Sequence, residues 1–216
     1  MGNCCSFPSS RGSTSRSHLE SHEMHEWDPL NYIPPCAEPD IRSPNRIVSA
    51  GHFIAHSVLQ SGGNHWQIYL QTGKDESVCL ELVPGAFPGQ EGFLGRFDIV
   101  LHGYGLTRNT HKTVSISAVP GRSVADFLDA IIANDNHRYE FTQDGRGCTG
   151  WVLDQFHLFM RAGLLPPGRE HDLEEAVNTA WEDGRSRGPR AVTLGTYVRD
   201  RGGGRRGVRR RGGGNR

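Results

Sequence analysis

The sequence predicts an α+β domain with a central antiparallel sheet flanked by helices, and three observations predict it. Trp66, Ile68 and Leu70 alternate with His65, Gln67, Tyr69 and Gln71, and after a turn over residues 72–76 a second run, Val78, Leu80 and Leu82, alternates with Cys79, Glu81 and Val83. Two such runs joined by a short polar turn form a β-hairpin. Val124, Phe127, Leu128, Ile131 and Ile132 instead recur at helical spacing, as do Trp151, Val152, Gln155, Phe156, Phe159 and Met160. Strand runs and helical runs in one chain of 216 residues fit a single domain with a real core.

Taken in order, regular structure is expected from Arg46, with an apolar stretch of Ile47, Val48, Phe53, Ile54, Val58 and Leu59 broken at Gly51. Ser61-Gly62-Gly63-Asn64 is a turn signal before the first hairpin strand. Strands are expected near residues 97–101 and 113–119. Ser123 with Asp126 three positions on makes an imperfect capping box for the next helix, which Asn134-Asp135-Asn136 ends. Tyr139 and Phe141 suggest a short strand leading to a helix that opens on Cys148 and is capped by Gly163. A last helix is expected from Asp172, with Glu175 completing its cap and Leu173, Ala176, Val177, Ala180 and Trp181 inside, then a closing strand over residues 191–198.

The chain divides into an N-terminal arm (1–45), a folded domain (46–198) and an Arg/Gly-rich tail (199–216). The formal net charge of zero hides this division: the tail holds 8 Arg and 1 Asp, and the remainder holds 16 Lys+Arg against 23 Asp+Glu. Glycine repeats and like charge exclude a packed fold in the tail. Its basic patch, Arg205, Arg206, Arg209, Arg210 and Arg211, suits anionic lipid or RNA backbone. At the other end Met1-Gly2-Asn3-Cys4-Cys5-Ser6 matches an N-myristoylation pattern at Gly2. Cys4 and Cys5 are placed for palmitoylation, the second signal that stable anchoring needs. These features predict a lipid-anchored protein at the cytoplasmic face of a membrane, with the membrane surface as partner. No apolar run approaches the roughly 18 residues that span a bilayer.

The 5 cysteines form no C-x-x-C pair, so neither a disulfide framework nor a zinc knuckle is indicated. His18, His22 and His25 share a helical spacing, but His22-Glu23-Met24-His25 is one residue short of the zinc-protease motif and the segment has no apolar face. They read as solvated histidines, and no metal or other cofactor is called for.

Cys148 and His65 are the candidate chemistry. A cysteine heading a helix has the positive end of the helix dipole and unpaired N–H groups beside it, which favour the thiolate and suit an oxyanion on an attacked carbonyl. His65 can take the thiol proton and return it to a leaving group. If the apolar faces of the hairpin coincide, Ile68 lies opposite Leu80 and Gln67 opposite Glu81, which puts Glu81 diagonal to His65 and able to orient it. The bland alternative is a buried structural cysteine, a structural histidine and a surface glutamate, in a module that binds partners without catalysis.

The strand His65-Trp66-x-Ile68-Tyr69-Leu70 and the later Cys148 helix with Trp151 in its first turn resemble the permuted papain-like superfamily, including NlpC/P60 and lecithin-retinol-acyltransferase-like enzymes. The resemblance implies a cysteine hydrolase or acyltransferase working through an acyl-enzyme. The chain departs from the acyltransferase pattern in two places: Gly147 replaces an asparagine before the cysteine, and the third polar residue is Glu81 or Cys79 where a histidine is usual. A closer similarity is to a fungal domain-of-unknown-function family, numbered seven-seven-seven-zero, with N-H-W-x-I-Y-L and G-C-x-x-W-V motifs. That similarity runs over residues 46–198 and implies the fold and the pairing of His65 with Cys148, and no activity.

Overall fold

The structure, a computed structural model, describes residues 37–60 and 62–198. Gly2, Cys4, Cys5, His18, His22, His25 and the tail arginines lie outside the described residues. After a short helix α1 (Glu38–Ile41), five strands follow: β1 (Ala50–Val58), β2 (Asn64–Gly73), β3 (Glu76–Pro88), β4 (Gly92–His102) and β5 (Lys112–Ser117). Then come α2 (Val124–Ala133), β6 (Tyr139–Thr142), α3 (Cys148–Arg161), α4 (Glu170–Val177), β7 (Thr179–Glu182), β8 (Arg185–Pro189) and β9 (Thr196–Tyr197).

Seven strands make one sheet in the order β5-β1-β2-β3-β4-β6-β9, and every pairing in it is antiparallel. With the helices this is the expected α+β architecture. The main core takes one face of the sheet, through Phe53, Trp66, Ile68, Leu80 and Phe97, and packs it on Phe127 and Leu128 of α2 and Trp151, Phe156 and Phe159 of α3. Aromatic edges lock the layers: Phe53 meets Phe156 with ring centroids 5.3 Å apart, Phe97 meets Trp151 at 5.4 Å, and Phe127 meets Phe159 at 4.8 Å. The core also takes in Ile41, so packing reaches back before Arg46.

The hairpin register is as the alternation demands, with Ile68 opposite Leu80. Past that pair the sheet opens. β2 stays with β1, through a bulge between Ala55 and Ser57 that brings Ser57 opposite His65, whereas β3 stays with β4, Glu81 opposite Asp98. Bulges of this kind re-aim side chains, here at the end of β2 where the head of α3 arrives.

Three expectations fail for identifiable reasons. Gly51 does not break β1; its neighbours leave ordinary contact distances, and the strand runs straight through it. The last helix starts at Glu170 and has no side-chain cap, because Asp172 is engaged by Arg169. Leu173, Ala176 and Val177 are buried in it as expected, but the helix stops at Val177, and Ala180 and Trp181 belong to the β7–β8 hairpin. Asp183 and Gly184 both have positive φ, 49° and 75°, the combination a two-residue I′ hairpin turn requires. Asn64 stabilises this departure, its amide donating to the Trp181 carbonyl (2.9 Å) and accepting from the Trp181 N–H (2.8 Å). The closing strand shrinks to Thr196–Tyr197, because residues 190–195 cross the start of α3 instead of extending the sheet.

The capping box at Ser123 is complete, with the Ser123 hydroxyl accepting from the Asp126 N–H and the Asp126 carboxylate accepting from the Ser123 N–H. Ser123→Ala is expected to lower the stability of the domain by about 1 kcal/mol. In urea unfolding this appears as a lower midpoint with an unchanged slope; a midpoint equal to wild type would show that the box contributes nothing.

Candidate functional site

Cys148 is the first residue of α3, behind a glycine that the turn requires. Gly147 has φ +148°, and a Cβ there would press on the Tyr139 ring at 3.0 Å. Tyr139 pins this point twice: its hydroxyl donates to the Gly147 carbonyl (3.0 Å) and accepts from the Gly195 N–H. Further along, the Trp151 indole donates to the Asn136 carbonyl (2.7 Å), and the Asn136 amide donates to Gln155 (3.0 Å). Tyr197 closes the chain of contacts by donating to Asp154 at 2.9 Å and accepting from Gln155 at 3.3 Å. Buried polar networks that are satisfied in this way hold one geometry.

His65 stands between two partners. Its Nε2 lies 2.7 Å from Glu81 Oε1, and on its other side the ring is electrostatically coupled to the Cys148 side chain. An imidazole has two nitrogens, so with Nε2 given to Glu81, Nδ1 is the one left for the thiol. Of the two candidates for a third member, Glu81 therefore makes the contact. Cys79 turns to Tyr69 instead, and burial pushes its thiol up to about 12.

The electrostatics set burial against pairing. Cys148 is only 6% exposed, and burial opposes its ionisation. The hydrogen bond and charge of His65, the Trp66 backbone N–H and the Thr149 hydroxyl together outweigh that, and the thiol lies below its ordinary value. Burial likewise disfavours the imidazolium of His65, but contacts to Cys148 and Glu81 overcome it and raise the group to about 9. Burial would raise Glu81 too, yet hydrogen bonds from His65 and Gln67 hold its carboxyl below the usual range. All three groups move in the direction of a thiolate, an imidazolium and a carboxylate in line.

The first-turn N–H groups of α3 have no helical carbonyl to bond, and no acidic side chain occupies the turn. Unpaired donors at a helix head are what a carbonyl oxygen that gains charge needs. Above them lies the segment 190–195. A Cβ on Gly150 would sit 2.8 Å from the Thr193 carbonyl oxygen, so only glycine lets that segment cross the helix so closely.

Sequence reasoning missed several of these parts. Gln67, expected opposite Glu81 in the hairpin, lies just beyond the last β2–β3 pair, where it is buried and helps hold the Glu81 charge, and its Oε1 has no hydrogen-bond partner among the described residues. Tyr139 and the crossing segment had no local signal, since their roles arise from contacts across the fold. Among the described residues no group of His, Cys, Asp and Glu is arranged to hold a metal, and no helix is long and apolar enough to cross a membrane.

No curated protein and no solved structure matches the chain. A family model described as a domain of unknown function, DUF7770, matches residues 51–198, a span that contains His65, Glu81 and Cys148 and more than half of the chain; the chain belongs to that family.

Proposed function

We propose that the domain is a permuted papain-like thiol enzyme, a hydrolase or acyltransferase that works through an acyl-enzyme on Cys148. The observation that carries this is His65, hydrogen-bonded to Glu81 at 2.7 Å and coupled in its titration to Cys148 at the head of α3. The Cys148 thiolate attacks a substrate carbonyl carbon, the C–S bond forms, and the oxygen takes the negative charge beside the first-turn N–H groups. Collapse of that intermediate breaks the bond to the leaving group, which departs with the proton from His65. An acceptor then gives its proton to His65 and attacks the thioester, and the C–S bond breaks. Water as acceptor makes a hydrolase; an amine or alcohol makes a transferase. Glu81 keeps the imidazole in the working orientation and favours its charged form.

The competing reading is a scaffold that binds partners without chemistry, and the near-complete burial of Cys148 favours it. Thiol labelling separates the two. At neutral pH iodoacetamide is expected to alkylate Cys148 faster than the same residue in the denatured chain, with an inflection below the ordinary thiol value of about 8.5. His65→Ala removes the largest of the contacts that oppose burial, so the inflection moves to higher pH, and the thiolate fraction at pH 7 falls with it, about tenfold for every pH unit the inflection climbs. Labelling no faster than in the denatured chain and indifferent to His65 would end the enzyme reading.

The same pair predicts a pH profile. Acyl transfer rises with pH as Cys148 ionises through its lowered pKa, and falls above about 9 as His65 loses the proton that the leaving group needs. Glu81→Gln removes the carboxylate that holds the imidazolium, so the alkaline limb is expected to move toward neutral pH. An alkaline limb that stays near the wild-type position would remove Glu81 from this role.

The N-terminal pattern Gly2, Cys4, Cys5 supports a lipid anchor at the cytoplasmic face of a membrane, and the arginine patch 205–211 supports contact with anionic lipid on the same surface. Recovery in the membrane fraction is expected to disappear in Gly2→Ala; undiminished recovery of that variant would exclude myristoylation as the cause.

A further inference from the structure

We infer that the site takes an acyl substrate carrying an anionic group, a carboxylate or a phosphate, which docks on Arg146 and Arg187 beside the entrance to Cys148. This rests on the thiol-enzyme reading for the acyl part, but the anion site stands on its own geometry.

An open cavity of about 420 Å³ lies between the β7–β8 hairpin and the loop ahead of α3. Three arginines, Arg146, Arg187 and Arg190, line it together with small residues such as Gly62, Gly188 and Ala191, and no carboxylate is among the lining residues described. A second cavity, of about 20 Å³, continues to Cys148 and shares Arg146, Arg190, Ala191 and Thr193 as walls. A space of that size holds about one water molecule. The larger cavity can therefore receive a charged head, and the narrow one marks the way from it to the thiol.

Arg146 and Arg187 keep donors for a ligand. Asp144 engages Nε of Arg146, and Glu182 engages Nη2 of Arg187 at 2.7 Å, so each ion pair uses one nitrogen of a guanidinium that presents five N–H groups. Both pairs are half-exposed, and their partners lie outside the cavity wall. Arg190 is held in place from behind: its backbone N–H donates to the Asn178 carbonyl (2.7 Å), and its guanidinium packs against the backbone at Gly63, where a Cβ would collide with it. Planar forks of this kind match carboxylate and phosphate oxygens in pairs. The setting sharpens the contrast. Outside the tail the chain carries 23 Asp+Glu against 16 Lys+Arg, yet the charged side chains described on this wall, which ends at the positive head of α3, are all cations. A cleft of one sign on an oppositely charged body draws its counter-ion inward.

The test uses the full-length chain and two thiol reagents of similar size, iodoacetate and iodoacetamide, with labelling at Cys148 read by peptide mass spectrometry. Glutathione gives the reference ratio of the two rates. Wild type is expected to favour iodoacetate over that reference by about tenfold, the low end of electrostatic steering. Arg146→Gln with Arg187→Gln is expected to remove most of this preference, read as the ratio of the iodoacetate to the iodoacetamide rate within the same variant, so that any change in the thiol itself cancels. Arg161→Gln, about 20 Å away at the far end of the helix, is the control and keeps the preference. Inorganic phosphate and succinate, each added in competition, slow iodoacetate labelling, and the stronger competitor identifies the anion. A preference that survives the double substitution overturns the inference, because His65 alone would then account for it. If neither reagent labels Cys148 faster than the denatured chain, the thiol-enzyme reading has failed, and thermal denaturation decides the anion site separately. A rise in melting temperature with phosphate or succinate that is lost in the double variant upholds the site; no rise in wild type overturns it.

Discussion

The burial of one face of α3 against the sheet and α2 is the constraint on which the other features depend. Trp151, Phe156 and Phe159 fill the core between sheet and helix, and their positions leave Cys148 no freedom in depth or rotation. Each large aromatic contributes several kcal/mol of apolar burial at about 25 cal/mol per Å². The head of the helix is then aimed at the place where β2 parts from β3, because the helix direction is set by its buried face. Asn136, Gln155 and Tyr197 add direction to that packing, since hydrogen bonds fix orientation where apolar contact fixes only depth.

The site exploits the low polarity that this packing creates. A thiol surrounded by core atoms resists ionisation, as does an imidazole, and singly each would stay neutral. Brought together with Glu81, each charge becomes the other's solvent, and the cost of burial is offset by close pairing. The same surroundings penalise any arrangement in which one member is charged alone, which explains why Gln67 and the Trp66 N–H are enlisted beside them. Cys148, His65, Glu81 and their supports are therefore one electrostatic unit, and the cavity arginines lie at its rim.

Much of this was legible before the structure, for reasons tied to period and composition. The alternation from His65 to Gln71 can satisfy burial in only one register, so the contact of Glu81 with His65 followed from arithmetic on a pleated strand. The helical stripe behind Cys148 was equally plain. What failed was the end of the chain. Ala176, Val177, Ala180 and Trp181 continue a helical stripe, and the reading by periodicity passed over the Asp183-Gly184 dipeptide, which marks the hairpin. The short β9 and the crossing segment could not be found by pattern, because Gly150 and Gly195 are required by contacts with residues far away in sequence. No local rule separates a glycine that turns the chain from one that makes room for it.

The passage of residues 190–195 over Gly150 also fixes an order of events during synthesis. His65, Glu81 and Cys148 all leave the ribosome well before this segment, so the three can come together while the helix head is still uncovered. The roof arrives among the last residues of the domain, held by Tyr139 through Gly195 and by β6 through β9. A chain cut just before Arg190 would keep Cys148, His65 and Glu81 and lose the wall that lies over them. The C-terminal end of the domain is thus part of the enclosure of the site, and its completion marks the moment at which the pair of charges becomes a buried one.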